Sequence, residues 1–196
     1  MNKSVEFFFD VGSPASYLAW TQLPGICERA GAALVARPML LGGVFQATGN
    51  ASPMAVPAKG SYTFVDLSRF AKRYGVPLRM NPHFPINTLN LMRAACGAQA
   101  HELQRFQDFL AAVFNAIWVD AANLNDPAVA AQVLADAGFD AGQLFGWAGE
   151  ADAKAVLRAN TEEAVSRGVF GAPTMFVDSE MYFGQDRLDF VAQALA

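Results

Sequence analysis

Two cysteines and two histidines are all that this chain of 196 residues has of the side chains that most often bind metals or exchange disulfides. Cys27 and Cys96 stand far apart, in segments that read as helical and without C-x-x-C spacing. They read as small buried hydrophobes in a reducing compartment. His83 and His101 lack an H-x-x-x-H partner, so no metal site is expected. Charge is also sparse: charged residues make up 16% of the chain and the net charge is −4, which argues against nucleic acid or an anionic membrane as the main partner. No apolar run reaches the length of a transmembrane helix, and there is no internal repeat or low-complexity tract. The first residues, Met1-Asn2-Lys3-Ser4-Val5-Glu6, run straight into an apolar strand and leave no room for a signal peptide, so a cytoplasmic protein is expected.

What is present is core. Hydrophobic residues make up 53% of the chain, enough to fill one compact domain with room for an inserted sub-domain. Val5 to Phe9 reads as a central strand, because its consecutive phenylalanines need burial on both faces. Pro14 to Ala30 reads as a helix that Pro24-Gly25 should kink or split and Gly31 should stop. Ala33 to Leu41 reads as a second strand, parallel to the first. A Gly-, Ser- and Pro-rich loop follows from Gly42 to Pro57, with one helical turn around Val44 to Ala47.

From there to about Gly168 the pattern is helical. Phe64, Leu67, Phe70 and Tyr74 mark one helix, which ends near Gly75. Another starts at Ile86 or Asn87 and runs past Cys96. Leu103, Phe106, Leu110, Phe114 and Ile117 mark the apolar face of a third. Asn125-Asp126-Pro127 opens a fourth, which Gly138 ends, and two more cover Ala141–Trp147 and Glu150–Arg167. Strand character returns at Gly171 to Asp178, with a hairpin across Ser179-Glu180 into Met181-Tyr182-Phe183. Gly184-Gln185-Asp186 opens a last helix bearing Leu188, Val191, Ala192 and Leu195. The order βαβ, helices, ββα predicts an α/β sheet core interrupted by a helical insertion.

Ser13 stands where the first strand turns into the first helix, at the N-cap, with Pro14 at the first helical position. The residues allow two readings: a plain helix cap, or a hydroxyl beside unpaired backbone N–H groups that can hold an anion.

The element order resembles disulfide oxidoreductases, which have a thioredoxin-like βαβ…ββα core with an inserted all-helical domain. Ser13-Pro14-Ala15-Ser16 stands where such proteins carry C-x-x-C, and Ala172-Pro173-Thr174 is similar to their cis-proline element. Without a thiolate at that motif, dithiol exchange through it is excluded. Over essentially the whole length the chain more closely resembles the family of kappa-class glutathione transferases and 2-hydroxychromene-2-carboxylate isomerases. The likeness rests on Phe9-Asp10-Val11-Gly12-Ser13-Pro14-Ala15-Ser16-Tyr17-Leu18, Gly49-Asn50, Pro57-Ala58-Lys59-Gly60, Phe84-Pro85-Ile86-Asn87-Thr88, Phe170-Gly171-Ala172-Pro173-Thr174-Met175-Phe176 and Gly184-Gln185-Asp186-Arg187-Leu188.

The resemblance implies a discontinuous thioredoxin-like domain at 1–57 and 169–196, with a helical domain at 58–168 inserted in it. It implies bound glutathione, with its thiol beside the Ser13 hydroxyl and Ser13 catalytic as a thiolate stabiliser. A cis Pro173 would turn the Ala172 backbone toward the glutathione peptide; the other reading is a proline that merely begins an edge strand. Gly184, Gln185 and Asp186 would receive the γ-glutamyl end, although Asp186 also fits an ordinary first-turn acid. Asn50 and Lys59 match glutathione contacts, although Lys59 also fits a solvated surface charge. Phe84 and Asn87 would face a small aromatic substrate; the alternatives are packing and helix capping. The implied reaction is glutathione-dependent isomerisation of 2-hydroxychromene-2-carboxylate to trans-o-hydroxybenzylidenepyruvate in aromatic hydrocarbon catabolism, by a homodimer. The alternative is glutathione conjugation to a small electrophile. One departure stands out: some isomerases of the family carry a lysine just before Gly49-Asn50, but Val44-Phe45-Gln46-Ala47-Thr48 has no basic residue. Arg79 and Arg93 are the candidates left to meet a substrate carboxylate.

Overall fold

Alternation along the first strand sets the architecture. The structure, a computed structural model, describes residues 3–196. Strand β1 (Ser4–Phe9) pairs in parallel with β2 (Ala33–Pro38) and antiparallel with β3 (Thr174–Val177), and β3 pairs antiparallel with β4 (Glu180–Phe183). The sheet order β2-β1-β3-β4 puts β1 inside the sheet. Successive strand side chains face opposite ways. Phe7 and Phe9 therefore join the larger core, while Phe8 joins a smaller one with Met39, Val44, Val169 and Phe176. All three are buried, as a strand covered on both faces requires.

The smaller core has an ionic cover. Arg167 lies 3.7 Å above the Phe176 ring and Arg37 lies 5.1 Å above Phe8. Glu6 bonds both guanidiniums, at 3.2 Å to Arg37 and 2.9 Å to Arg167, and Glu163 bonds both as well. Flat, weakly hydrated guanidiniums can seal an aromatic face while keeping their carboxylates.

Helix α1 (Pro14–Ala30) and helix α2 (Leu41–Thr48) flank β2 in sequence. Then come α3 (Pro57–Tyr74), α4 (Leu89–His101), α5 (Phe106–Trp118), α6 (Pro127–Asp136), α7 (Ala141–Gly149) and α8 (Ala151–Ser166), and α9 (Leu188–Leu195) ends the chain. One contiguous core joins β1 to this helical segment through Phe114 and Trp118, and to α9 through Val191. Glycines at left-handed φ stop α1 (Gly31, 62°) and α3 (Gly75, 69°), as their positions predict.

Several local expectations are corrected. Pro24 does not split α1, which runs unbroken past it. The lost backbone hydrogen bond costs about 3 kcal/mol, and burial of Leu23, Ile26 and Cys27 around the proline offsets it. The second strand ends at Pro38 rather than Leu41, and Leu41–Thr48 is a helix of two turns where one turn around Val44 to Ala47 is expected. The reason is distant in sequence: the Asp10 carboxylate accepts the Leu41 N–H at 2.9 Å and so starts α2 from outside it. Gly43 lets α2 approach α8 closely, since a Cβ there would lie 3.2 Å from Thr161 Cγ2. Helix α4 starts at Leu89, two or three residues later than expected, because Asn87 Oδ1 accepts the Leu89 N–H and stays outside the helix. Leu103 is 68% exposed, in a 3₁₀ turn ahead of α5. The hairpin turns at Asp178-Ser179, with Asp178 at φ 52° and Val177 paired to Glu180. Residues Gln185–Arg187 form a 3₁₀ turn, and α9 starts only at Leu188, with Ala192 exposed.

Candidate active site at the Ser13 turn

Ser13 is the N-cap of α1, 5% exposed, and its hydroxyl both accepts and donates. It accepts the Ser16 N–H at 3.1 Å and donates to the Ala172 carbonyl at 3.1 Å. The bond to Ala172 spans most of the chain and brings the first helix to the loop before β3. Pro14 has no N–H and Ser16 is capped by Ser13. The Ala15 N–H is therefore left without a partner at this end of α1 among the described residues.

The Ala172-Pro173 peptide is cis, as the resemblance implies, and Phe84-Pro85 is also cis, which sequence reading did not anticipate. The Pro173 carbonyl accepts the Gly184 N–H at 3.0 Å. Gly184 has φ 98° and ψ 152°, a conformation essentially restricted to glycine. A Cβ there would also sit 2.5 Å from Asp186 Oδ1. The turn after it is held by Tyr74, whose hydroxyl donates to the Gln185 carbonyl at 2.7 Å. Gln185 is buried, while Asp186 is exposed and meets Arg187 at 2.6 Å. Asn50 donates from Nδ2 to the Phe170 carbonyl at 2.7 Å, tying the end of α2 to the same loop. Ser13, Ala172, Pro173 and Gly184 are thus linked by direct hydrogen bonds, with Asn50, Gln185 and Asp186 attached at one remove.

The remaining candidates stand further out. Lys59 is in the first turn of α3, exposed, with no ion pair among the described residues. Phe84 is half-buried against Trp118, ring centroids 6.0 Å apart, and the Trp118 Nε1–H donates to the Val11 carbonyl at 2.9 Å. Asn87 is exposed; its side chain caps α4 and its N–H donates to Asn125 Oδ1 at 2.8 Å. Arg79 is exposed, and Arg93 lines a cavity on another side of α4.

Sequence reading assigned no role to Asp10, although an acid closing an apolar strand is itself a signal. Asp10 is 2% exposed. Its Oδ1 accepts the Gly12 N–H at 2.9 Å, and its Oδ2 accepts the Leu41 N–H and the Thr88 hydroxyl at 2.9 and 3.1 Å. Its backbone carbonyl also accepts the Ser13 N–H at 3.0 Å. Burial pushes its carboxyl above the ordinary range, while the three donors pull it the other way. One side chain thereby fixes the Ser13 turn, the start of α2 and the start of α4. The sulfur of the chain is remote in function: burial pushes both thiols up, Cys96 to about 12, which makes them unreactive.

This arrangement has counterparts. A protein of Sphingobium xenophagum named 2-hydroxychromene-2-carboxylate isomerase is 34% identical over 100% of this chain and 99% of its own. A solved structure of a 2-hydroxychromene-2-carboxylate isomerase superposes with a TM-score of 0.85 at 30% identity, covering 98% of this chain and 94% of that one. A Caenorhabditis elegans protein named glutathione S-transferase kappa 2 is 29% identical over 99% of this chain and 92% of its own. The model of the DSBA-like thioredoxin domain matches residues 4–196, and the chain belongs to that family.

Proposed function

We propose that the protein is a glutathione-dependent isomerase of 2-hydroxychromene-2-carboxylate, acting in the breakdown of aromatic hydrocarbons. The observation that carries this reading is the Ser13 hydroxyl, set between a helix N-terminus and the cis-proline loop in a turn with no cysteine. Full-length likeness to two proteins bearing that isomerase's name supports it.

The residues fit glutathione by what they leave open. The Ala172 N–H has no intramolecular acceptor among the described residues, and the Ala15 N–H has none either. The Ser13 hydroxyl has a single proton, now given to Ala172 O. Ser13 would turn that proton to a thiolate placed beside it, because a hydrogen bond to a charged acceptor is about twice as strong as a neutral one. Ala172 O would then be free to accept a peptide N–H while the Ala172 N–H donates, in the manner of an added strand. Gly184, Gln185 and Asp186 would hold the γ-glutamyl end, and Asn50 and Lys59 its remaining polar groups. Phe84 and Asn87 would border the aromatic substrate.

Glutathione held there would supply a thiolate nucleophile for reversible addition to the conjugated system of the substrate, which would leave a single bond for rotation once the ring C–O bond has opened. Ser13 and the N-terminus of α1 would lower the pKa of that thiol. A free thiol near ~8.5 is only a few per cent ionised at neutral pH, and a drop of about two units, worth roughly 2.7 kcal/mol, makes the thiolate the majority form. The protein is proposed to act in the cytoplasm as a homodimer; no helix among the described residues is long and apolar enough to cross a membrane.

Incubation with hydroxychromene carboxylate and substoichiometric glutathione tests the reading. Many turnovers per glutathione are expected; no absorbance change would sink it. The full-length likeness to a kappa-class transferase keeps a second reading open, in which glutathione is consumed in stoichiometric amounts by an electrophile.

A further inference from the structure

A cavity of about 490 Å³ opens among α4, α6, α7 and α8. Its position relative to Ser13 follows from helix geometry. At 3.6 residues per turn, Thr88, Met92 and Gln99 share one side of α4. All three reach toward the sheet: Thr88 bonds Asp10, Met92 Sδ accepts the Val11 N–H, and Gln99 bonds the Ala36 carbonyl. Leu89, Arg93 and Gly97 lie on the other side. Gly97 is pressed on α7, where a Cβ would come 2.7 Å from Trp147 Cβ, and Leu89 and Arg93 line the cavity. The cavity and the Ser13 turn are therefore on different sides of one helix.

The lining has an apolar part, including Leu124, Phe145 and Ala148, and a polar part, including Asn87, Asn90, Arg93 and Lys154; Asn87, just ahead of α4, is the one lining residue also named for the substrate side of the Ser13 turn. No carboxylate lines it. Arg37, Arg105 and Arg167 are each held by a glutamate. Arg93 and Lys154, by contrast, have no ion-pair partner among the described residues, although they line the same space. Two cations thus line one apolar-floored cavity with no carboxylate among its walls. A guanidinium offers a carboxylate two parallel N–H donors, and the apolar floor rewards a ring-sized body.

We propose that this cavity is a second ligand site, separate from the Ser13 turn, that binds a small carboxylate with a ring-sized apolar body through Arg93 and Lys154. The site does not depend on the glutathione chemistry proposed above. Titration calorimetry on the full chain with 2-naphthoate tests it, beside neutral 2-naphthylmethanol and beside acetate, which lacks the apolar body. Saturable binding of 2-naphthoate is expected, with each of the other probes weaker by about tenfold or more. Arg93→Gln and Lys154→Gln, measured separately so that either variant suffices, should each weaken 2-naphthoate by about tenfold and leave 2-naphthylmethanol unchanged. Saturating glutathione and Ser13→Ala should leave the 2-naphthoate affinity unchanged. Wild-type affinity in both charge variants, displacement by glutathione, or no saturable binding overturns the proposal.

Discussion

The two sides of α4 hold opposite kinds of polar group. Toward the sheet, Thr88, Met92 and Gln99 are each engaged, and Asp10 gathers three donors from three segments. Toward the cavity, Arg93 and Lys154 carry full charges with no carboxylate beside them. Engaged buried groups fix geometry, and losing one partner strands the rest; unengaged charges at a surface cavity cost little and are available to a ligand. Ser13 belongs to the engaged side but differs from its neighbours, because its single proton goes to a loop carbonyl and is the one a thiolate would take on the function proposed above.

The largest expected effect follows from that difference. Ser13→Ala removes the donor proposed to hold the thiolate, so turnover should fall by about 10²- to 10³-fold, while loss of the cap costs about 1 kcal/mol. Steady-state rates and denaturant melts on the same preparation separate the two; unchanged turnover would reduce Ser13 to a helix cap. Asp10→Ala should instead act on stability. It leaves the Gly12 and Leu41 N–H groups and the Thr88 hydroxyl without their acceptor, and a loss of about 3 kcal/mol is expected from urea unfolding. Wild-type stability in that variant would mean the carboxylate does not organise the turn. Arg93→Gln completes the contrast: removing an unengaged charge should shift unfolding by less than about 0.5 kcal/mol, and a large loss would show that Arg93 is structural. The smallest effect concerns sulfur. At about pH 8, Cys27 and Cys96 should resist a thiol reagent in the folded chain and react once denaturant is added, since burial raises both and holds Cys96 at about 12. Rapid labelling of folded protein would contradict this.

Features set by neighbours in the chain were legible in the sequence. The apolar run Phe7-Phe8-Phe9, the Ser13-Pro14 cap and the glycine stops at Gly31 and Gly75 act over a few residues, and each is found where the pattern puts it. Features set by distant partners were not. The start of α2 depends on Asp10, the continuity of α1 through Pro24 on burial around it, and the late start of α4 on where Asn87 places its amide. The site divides the same way. Ser13, Ala172, Pro173 and Gly184 are joined by hydrogen bonds at the two ends of the chain, whereas Lys59 and Asn87 make no contact with them among the described hydrogen bonds. Asp10 went unassigned because its role lies in Leu41 and Thr88, which nothing local connects to it.

The central claim is that the Ser13 hydroxyl holds a thiolate the chain does not itself supply. It is tested most directly by titrating the thiol of bound glutathione, following thiolate absorbance against pH in the wild type and in Ser13→Ala. The account predicts a midpoint about two units below the free thiol's ~8.5 in the wild type and a return toward that value in the variant. Identical midpoints in the two proteins would contradict it.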